Sequence, residues 1–328
     1  MKPYDALIVG AGIAGLCCAR EAVSAGLDVL LVDKGRSPGG RMATRHYERH
    51  VFDHGTQFFT VRHQRFGAFV ERWRDCGLAA EWSRGFPGTR DGIHGAHPRF
   101  RPVDGMASLA ADMALDLDIH QSTFATQVVW TGDRWRVDTE SGSLESRAVV
   151  LTPPPPQSLG LLAALRGDEW AALRPKLAAI EYRPCIAALV ELSKPSLVPD
   201  PGGYYPPPGS PIDWIADNHK KGVSPGHAVT IHATEAFSRE HLEDDPADAA
   251  QLLVQAAAEL LGSEPVRVSG HRWRYSQPMN PHPGPMAAIR APGPLAFAGD
   301  SFGKPRLEGA ALSGFAAGDW LRAVIGGN

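Results

Sequence analysis

Residues 5–33 read DALIVGAGIAGLCCAREAVSAGLDVLLVD, and this stretch decides the fold. Asp5 to Val9 is a short apolar run that reads as a buried parallel strand, and Asp28 to Asp33 reads as a second. Between them, Ile13 to Ala25 is rich in Ala and Leu, reads as a helix and closes at Gly26. Gly10, Gly12 and Gly15 fill a GxGxxG pattern. In such a loop the first glycine permits a tight turn, the second lets a diphosphate approach the backbone, and the third allows helix and strand to pack closely. Ile13 and Ala14 then open the helix at its anion-attracting end, and Asp33 stands where an acceptor for ribose hydroxyls belongs. The order strand, glycine loop, helix, strand predicts a βαβ unit for the ADP half of a dinucleotide.

The identity of the dinucleotide is decided outside this unit. After Lys34 the loop carries Gly39, Gly40 and Arg41, followed by Met42, and would supply backbone N–H groups and a guanidinium to the same diphosphate. A nicotinamide-binding Rossmann domain has no need of it. Near the C-terminus, Leu295 to Ala298 reads as a buried strand ending at Gly299-Asp300, and an Ala-rich helix is predicted from Gly309 to Val324. That arrangement would set the Asp300 carboxylate on ribitol hydroxyls and a helix N-terminus at a flavin pyrimidine, where its positive end favours the anionic reduced ring. Asp300 alone could equally be a helix-capping aspartate. Together the three motifs point to FAD.

The remaining chain reads as helices over Phe66–Cys76 and Met106–Leu115, and a hairpin in which Val128–Trp130 and Trp135–Val137 flank Gly132-Asp133. A strand over Ala148–Thr152 is stopped by Pro153–Pro156, which reads as a stiff exit loop rather than a polyproline ligand. Pro87 to Gly95 is turn-rich. Strand-like runs at Ile186–Leu192 and Ala228–Ala233, Pro-rich loops around Pro199–Pro211 and a long helix over Asp248–Leu261 suggest a substrate domain inserted into the nucleotide fold. The expected boundaries are an FAD-binding domain of about 1–60, 102–158 and 268–328, and a substrate domain of about 61–101 and 159–267. The fold class is α/β: an FAD-binding Rossmann-type domain, with an interleaved α+β domain on a mixed sheet.

Lys+Arg 33 against Asp+Glu 36 gives no electrostatic reason to expect nucleic acid or an anionic membrane as partner. The cysteines, Cys17, Cys18, Cys76 and Cys185, have no CxxC spacing, which argues against a disulfide framework or a metal site and fits a reducing cytoplasm. Lys2 and the apolar run from Ala6 to Ala19 superficially resemble a signal peptide, but the glycines punctuate that run as a nucleotide loop would.

The glycine motifs, Gly39-Gly-Arg-Met42 and Gly299-Asp300 resemble the flavin amine oxidase superfamily, whose FAD domain is of the p-hydroxybenzoate hydroxylase or amine oxidase type. Within it, Phe52–Thr60 (FDHGTQFFT), Asp213-Trp214, His232–Thr234, Ser238-Arg239, His271–Trp273 and Leu307–Ala310 resemble bacterial renalases nearly end to end. The resemblance implies non-covalent FAD and oxidation of 1,2- and 1,6-dihydro-NAD(P) to NAD(P)+, with electrons passed to O2 as hydrogen peroxide. Such a reaction yields an aromatic product, so no catalytic base is obligatory. The implied cofactor neighbours, beyond those above, are Asp53, Gly55, Thr56, Gln57, Val128, Leu307, Glu308, Gly309 and Ala310. Gln57, Phe58, Phe59 and Thr60 would form one substrate wall, with Arg99, Phe100, Arg101, Trp214, His232 and Trp273 completing it. The tryptophans and His232 could equally be core, and Arg99 a surface residue. Lys304 and Pro305 depart from the family's Ser/Gly-rich loop. An amine or carotenoid-type FAD dehydrogenase and a non-catalytic flavin-binding redox module are the alternative functions.

Overall fold

The computed structural model describes residues 3–88 and 97–326, so most of the turn-rich stretch expected at Pro87–Gly95 lies outside the described residues. The residues gather into two compact units: one holds the chain up to Gly40, Ala110–Glu181 and Gln277 onward, the other Arg41–Leu109 and Tyr182–Ser276. The chain contributes β1 (Tyr4–Val9), α1 (Ile13–Ser24) and β2 (Val29–Val32) to the first unit. It then forms β3 (Thr44–Tyr47), β4 (His50–Asp53), α2 (Gln64–Asp75), β5 (Ala79–Ser83), β6 (Arg99–Pro102) and α3 (Met106–Ala114), within which it re-enters the first unit. There it builds β7 (Asp118–His120), β8 (Ala125–Trp130), β9 (Trp135–Thr139), β10 (Gly142–Leu151), α4 (Pro155–Leu161) and α5 (Asp168–Ala178). The second unit takes β11 (Tyr182–Leu192), β12 (Gly203–Tyr204), β13 (Ile212–Asp217), β14 (Ala228–Ala233), α6 (Glu235–Glu240), α7 (Pro246–Ala256), α8 (Ala258–Leu261) and β15 (Pro265–Pro278). The chain ends with β16 (Ala287–Ile289), β17 (Leu295–Phe297) and α9 (Leu307–Ile325).

The first unit is a sheet in the order β16-β17-β10-β1-β2-β7, with β9 also on β10 and β8 on β9. β1 runs parallel to both β2 and β10, as expected of strands buried on both faces. Helices α1 and α9 pack through small residues: a Cβ at Gly314 would come within 2.2 Å of the Ala14 carbonyl oxygen, and one at Gly318 within 2.5 Å of Glu21 Cβ. The predicted hairpin forms with Trp130 opposite Trp135.

The second unit is a sheet in the order β12-β13-β14-β11-β15. Alternation sorts its residues between two faces. Ile186, Ala188 and Val190 join Val229 and Ile231 in a core with Ala249, Ala250 and Leu253 of α7. Leu189 and Ala228 pack on Phe52, and Trp214 and Ala216 on Phe86. This second face carries the candidate site.

Four expectations need correction. Residues 41–60, 102–109 and 268–276 lie in the second unit: Asp53 at the end of β4 accepts the Met106 N–H at 2.7 Å and so fastens the start of α3, and Arg41 donates to the carbonyls of Tyr275 and Ser276. Residues 159–181 lie in the first unit: Trp170 stacks on Phe297, and Glu169 accepts the Arg290 N–H at 2.7 Å. The proline run does not remain a loop. Pro155 opens α4, since the ring that ends a strand also suits a first helical turn, where the missing N–H costs nothing. The helix expected over Asp248–Leu261 is divided into α7 and α8.

Candidate active site

The first unit builds a cradle from backbone. Gly10 has φ +100, and a Cβ there would lie 2.4 Å from Thr152 Oγ1. A Cβ at Gly15 would lie 1.9 Å from the Gly10 carbonyl oxygen, so the approach of α1 to the end of β1 requires glycine. Gly12 is different: it is the N-cap of α1, has no side-chain cap, and among the described residues has no atom within 4 Å of where a Cβ would point. That open ground in front of helix N–H groups suits a diphosphate. The Gly39 N–H donates to the Ala11 carbonyl at 2.8 Å, and Gly12 and Gly39 form a bridge, so the two glycine segments lie side by side although 27 positions separate them. Asp33 accepts the Ala11 N–H through Oδ2 and the Gly35 N–H through Oδ1, both at 2.6 Å. These bonds aim the carboxylate beside the loop and leave lone pairs for ribose hydroxyls. Lys34 and Gly40 are exposed, Ile13 and Ala14 buried.

At the same edge of the sheet, Gly299 has φ +141 and its N–H donates to Ser313 Oγ at 2.8 Å, which ties the end of β17 to α9. The helix begins at Leu307, two residues before the expected Gly309, and brings Glu308 into its first turn. Gly309 is closed in by the Lys304 carbonyl, 1.8 Å from a would-be Cβ, so the departure at Lys304-Pro305 shapes the entry of this helix. Lys304 itself is exposed, Asp300 half-buried and Val128 buried.

The second unit builds with side chains. His54 stacks on Trp273 (ring centroids 5.2 Å apart) and meets His271 edge-on at 4.7 Å. The His54 carbonyl accepts from Trp273 Nε1 at 2.8 Å and from His232 Nε2 at 3.0 Å. A carbonyl only accepts, so His232 carries its proton on Nε2 and a lone pair on Nδ1. Burial lowers the pKa of His54 to about 3, with His271 and Arg45 adding to the effect. Burial likewise takes His232 and His271 to about 4. All three imidazoles are neutral at pH 7. A polar cavity of about 70 Å³ beside His232 is lined by Arg183, Cys185, Asp213, Glu235 and Ser276, and burial pushes the Cys185 thiol up to about 12.

Gln57 is buried. Its Nε2 donates to the carbonyls of Asp53 (2.6 Å) and Gly55 (3.2 Å), leaving Oε1 without a partner among the described residues. Gly55 lies against the Arg41 carbonyl, which accepts the Thr56 N–H at 2.9 Å. Arg41 Nη1 donates to the carbonyls of Tyr275 and Ser276 at 3.2 and 2.9 Å, so part of its guanidinium holds β15, a role the sequence did not suggest. Phe58 joins Trp82, Phe86, Tyr205 and Trp214 in a cluster of rings, and the Trp214 Nε1 donor inside it has no partner among the described residues.

Several candidates lie elsewhere. Phe59 and Phe100 exchange backbone hydrogen bonds, stack at 5.8 Å and are buried with Phe66 and Trp73, which makes them core rather than substrate wall. Arg99 is only 8% exposed, with its guanidinium 5.4 Å from the Phe86 ring centroid and 5.9 Å from that of Phe58, so it is no surface arginine. Arg101 donates to the carbonyls of Pro102 and Gly222. The Asp53 carboxylate is taken by Thr44 Oγ1 (2.8 Å), the Met106 N–H and Lys221 Nζ (2.6 Å), so it clasps protein instead of bordering a ring. His54 and His271 lie inside motifs visible in the sequence, but only the fold shows that they meet. Lys221, fully buried, gave no local signal at all.

The sequence model described as "Flavin containing amine oxidoreductase" matches residues 67–319, and one described as "NAD(P)-binding Rossmann-like domain" matches residues 8–73. The chain belongs to the flavin-containing amine oxidoreductase family. FAD is its cofactor, and the glycine cradle with Asp33 fits that group. Renalase from Mus musculus is 28% identical over 97% of this chain and 99% of its own length. Among solved structures, a fatty acid isomerase from P. acnes aligns with TM-score 0.71 at 12% identity over 98% of both chains. A putrescine oxidase bound to putrescine aligns with TM-score 0.70 at 15% identity, covering 98% of this chain and 99% of that one. Those two share the fold and differ in chemistry, so the fold does not choose the substrate.

Proposed function

We propose that this FAD-dependent oxidoreductase is an oxidase of isomeric dihydronicotinamide dinucleotides, 1,2- and 1,6-dihydro-NAD(P), which it converts to NAD(P)+. FAD, when bound, supplies the N5 atom that accepts the hydride and passes both electrons to oxygen, so that with one proton O2 leaves as hydrogen peroxide. The observation that carries the reading is the buried cluster in which His271 meets His54 edge-on at 4.7 Å and His232 donates to the His54 carbonyl. Imidazoles with pKa values of about 3 and 4 are poor proton acceptors at pH 7, and hydride loss to form an aromatic ring needs none. The likeness to renalase along nearly the whole chain supports the same reading.

In this reading Gly10, Gly12, Gly15, Asp33 and Gly40 hold the ADP half of FAD without a covalent bond, and Gly299, Asp300 and residues 307–310 attend the flavin half. The ring cluster with Trp214, together with Gln57, His232 and Trp273, orients the substrate and excludes water. Four free cysteines and the absence, among the described residues, of any helix long and apolar enough to cross a membrane are in keeping with a cytoplasmic enzyme. Anaerobic addition of 1,6-dihydro-NAD to the purified holoenzyme should bleach the flavin absorbance within seconds, and air should restore it with release of peroxide. Bleaching by putrescine or another amine, with none by the dihydronicotinamide, would favour an amine oxidase. A flavin that no donor bleaches would favour a non-catalytic module.

A further inference from the structure

We propose that the buried Asp53–Lys221 ion pair holds the Gln57 amide in one orientation, and that its carbonyl oxygen thereby selects a substrate bearing a primary carboxamide over the corresponding carboxylate. The inference rests on the dihydronicotinamide reading and adds to it the feature of the ring that is recognised.

The orientation of Gln57 follows from its partners. The carbonyls of Asp53 and Gly55 are both acceptors, so the amide end facing them must be NH2. Oε1 is then a buried acceptor with no partner among the described residues, an unfavourable condition that a ligand N–H would relieve. A nicotinamide carboxamide offers two N–H groups. A carboxylate at the same place offers none and sets anionic oxygen against the Gln57 carbonyl.

What prevents the amide from turning over is the fixed position of Asp53. Its carbonyl accepts from Gln57 Nε2 and also from Thr230 Oγ1 at 3.0 Å, and Thr230 is itself held by Asn218 Nδ2 at 2.9 Å. Its carboxylate is clasped by Thr44, the Met106 N–H and Lys221, the last at 2.6 Å, and both Asp53 and Lys221 side chains are 0% exposed. Burial lowers the Lys221 pKa while Asp53 opposes the shift. Such a pair is a poor source of net stability, because an apolar pair of similar volume often serves as well or better. It does fix the register of the Asp53 carbonyl, and with it the Gln57 amide.

The test titrates the FAD-loaded protein with NAD+ and with nicotinic acid adenine dinucleotide, reading each Kd from the perturbation of flavin absorbance. The wild type should bind the amide at least about tenfold more tightly, the equivalent of 1.4 kcal/mol. Asp53→Asn combined with Lys221→Met removes both charges and keeps the volume filled. This variant should retain FAD while its Kd ratio falls toward one, since a freed amide can turn its NH2 to the carboxylate. Gln57→Leu, which leaves the ion pair in place, should lose the ratio as well, and adding it to the double variant should change nothing further. A ratio of one in the wild type, or an unchanged ratio in the double variant, overturns the proposal. A second readout is independent of any substrate: the side-chain NH2 resonances of Gln57 should be protected from hydrogen exchange in the wild type and exposed in the double variant. Persistent protection overturns the positioning role. A wild-type flavin that neither dinucleotide perturbs and 1,6-dihydro-NAD does not bleach refutes the functional reading instead, and the exchange comparison still decides what the ion pair does.

Discussion

The two units are built around their candidate sites with different materials. The glycine cradle of the first unit is made of backbone: positive φ at Gly10, Gly39 and Gly299, N–H groups at the start of α1, and one carboxylate tethered by two backbone N–H bonds. The candidate site of the second unit is made of buried side chains, three neutral imidazoles, a glutamine whose acceptor has no partner among the described residues and an ion pair with no exposure. Backbone sites depend on the absence of atoms, and side-chain sites depend on their presence and protonation. Small substitutions should therefore break the first, and changes in proton concentration the second.

The largest effect is expected from Gly15→Val. Its Cβ would fall 1.9 Å from the Gly10 carbonyl oxygen, a backbone atom that cannot step aside. The expected outcome is a loss of about 3 kcal/mol or more, the upper range for overpacking, and protein purified without yellow colour, as checked by flavin absorbance and thermal melting. Acid should act on the other unit. The imidazoles of His54, His232 and His271 titrate at about 3, 4 and 4 when folded against an ordinary 6.5, so below pH 6.5 the unfolded chain takes up more protons than the folded one. Their contribution to stability is complete above pH 6.5 and declines as pH falls toward the folded values. Urea melts should show a fall of several kcal/mol between pH 7 and pH 4, beyond that of a variant with His54 and His271 replaced by Phe. The smallest change in stability is expected from Gly12→Ala, whose Cβ meets nothing within 4 Å among the described residues. Melting of the apoprotein should move by no more than about 0.5 kcal/mol, while FAD binding weakens because the methyl group occupies the ground a diphosphate needs. An unchanged FAD affinity would show that the open space at Gly12 is not the cofactor's.

Legibility follows the same division. The βαβ unit, the hairpin at Gly132-Asp133, α2, α3 and β14 could all be read from periodicity and turn chemistry, because each is specified within a few neighbouring residues. The proline run defies a local reading because the restraint that ends a strand also suits the opening of a helix. Phe59 and Phe100 were drawn into the substrate wall by motif position, although their backbone pairing turns both rings into a core.

The sequence by itself determined the dinucleotide cradle, since glycine spacing dictates backbone torsion and torsion dictates where N–H groups point, all within about 30 residues. Only the tertiary structure decided the candidate site of the second unit. The register of β13 and β14 sets Trp214 opposite His232, β15 brings Trp273 and His271 to His54, and Lys221 reaches Asp53 across 168 positions. No spacing rule connects such residues, because what joins them is the burial of one sheet face, and burial is a property of the folded chain.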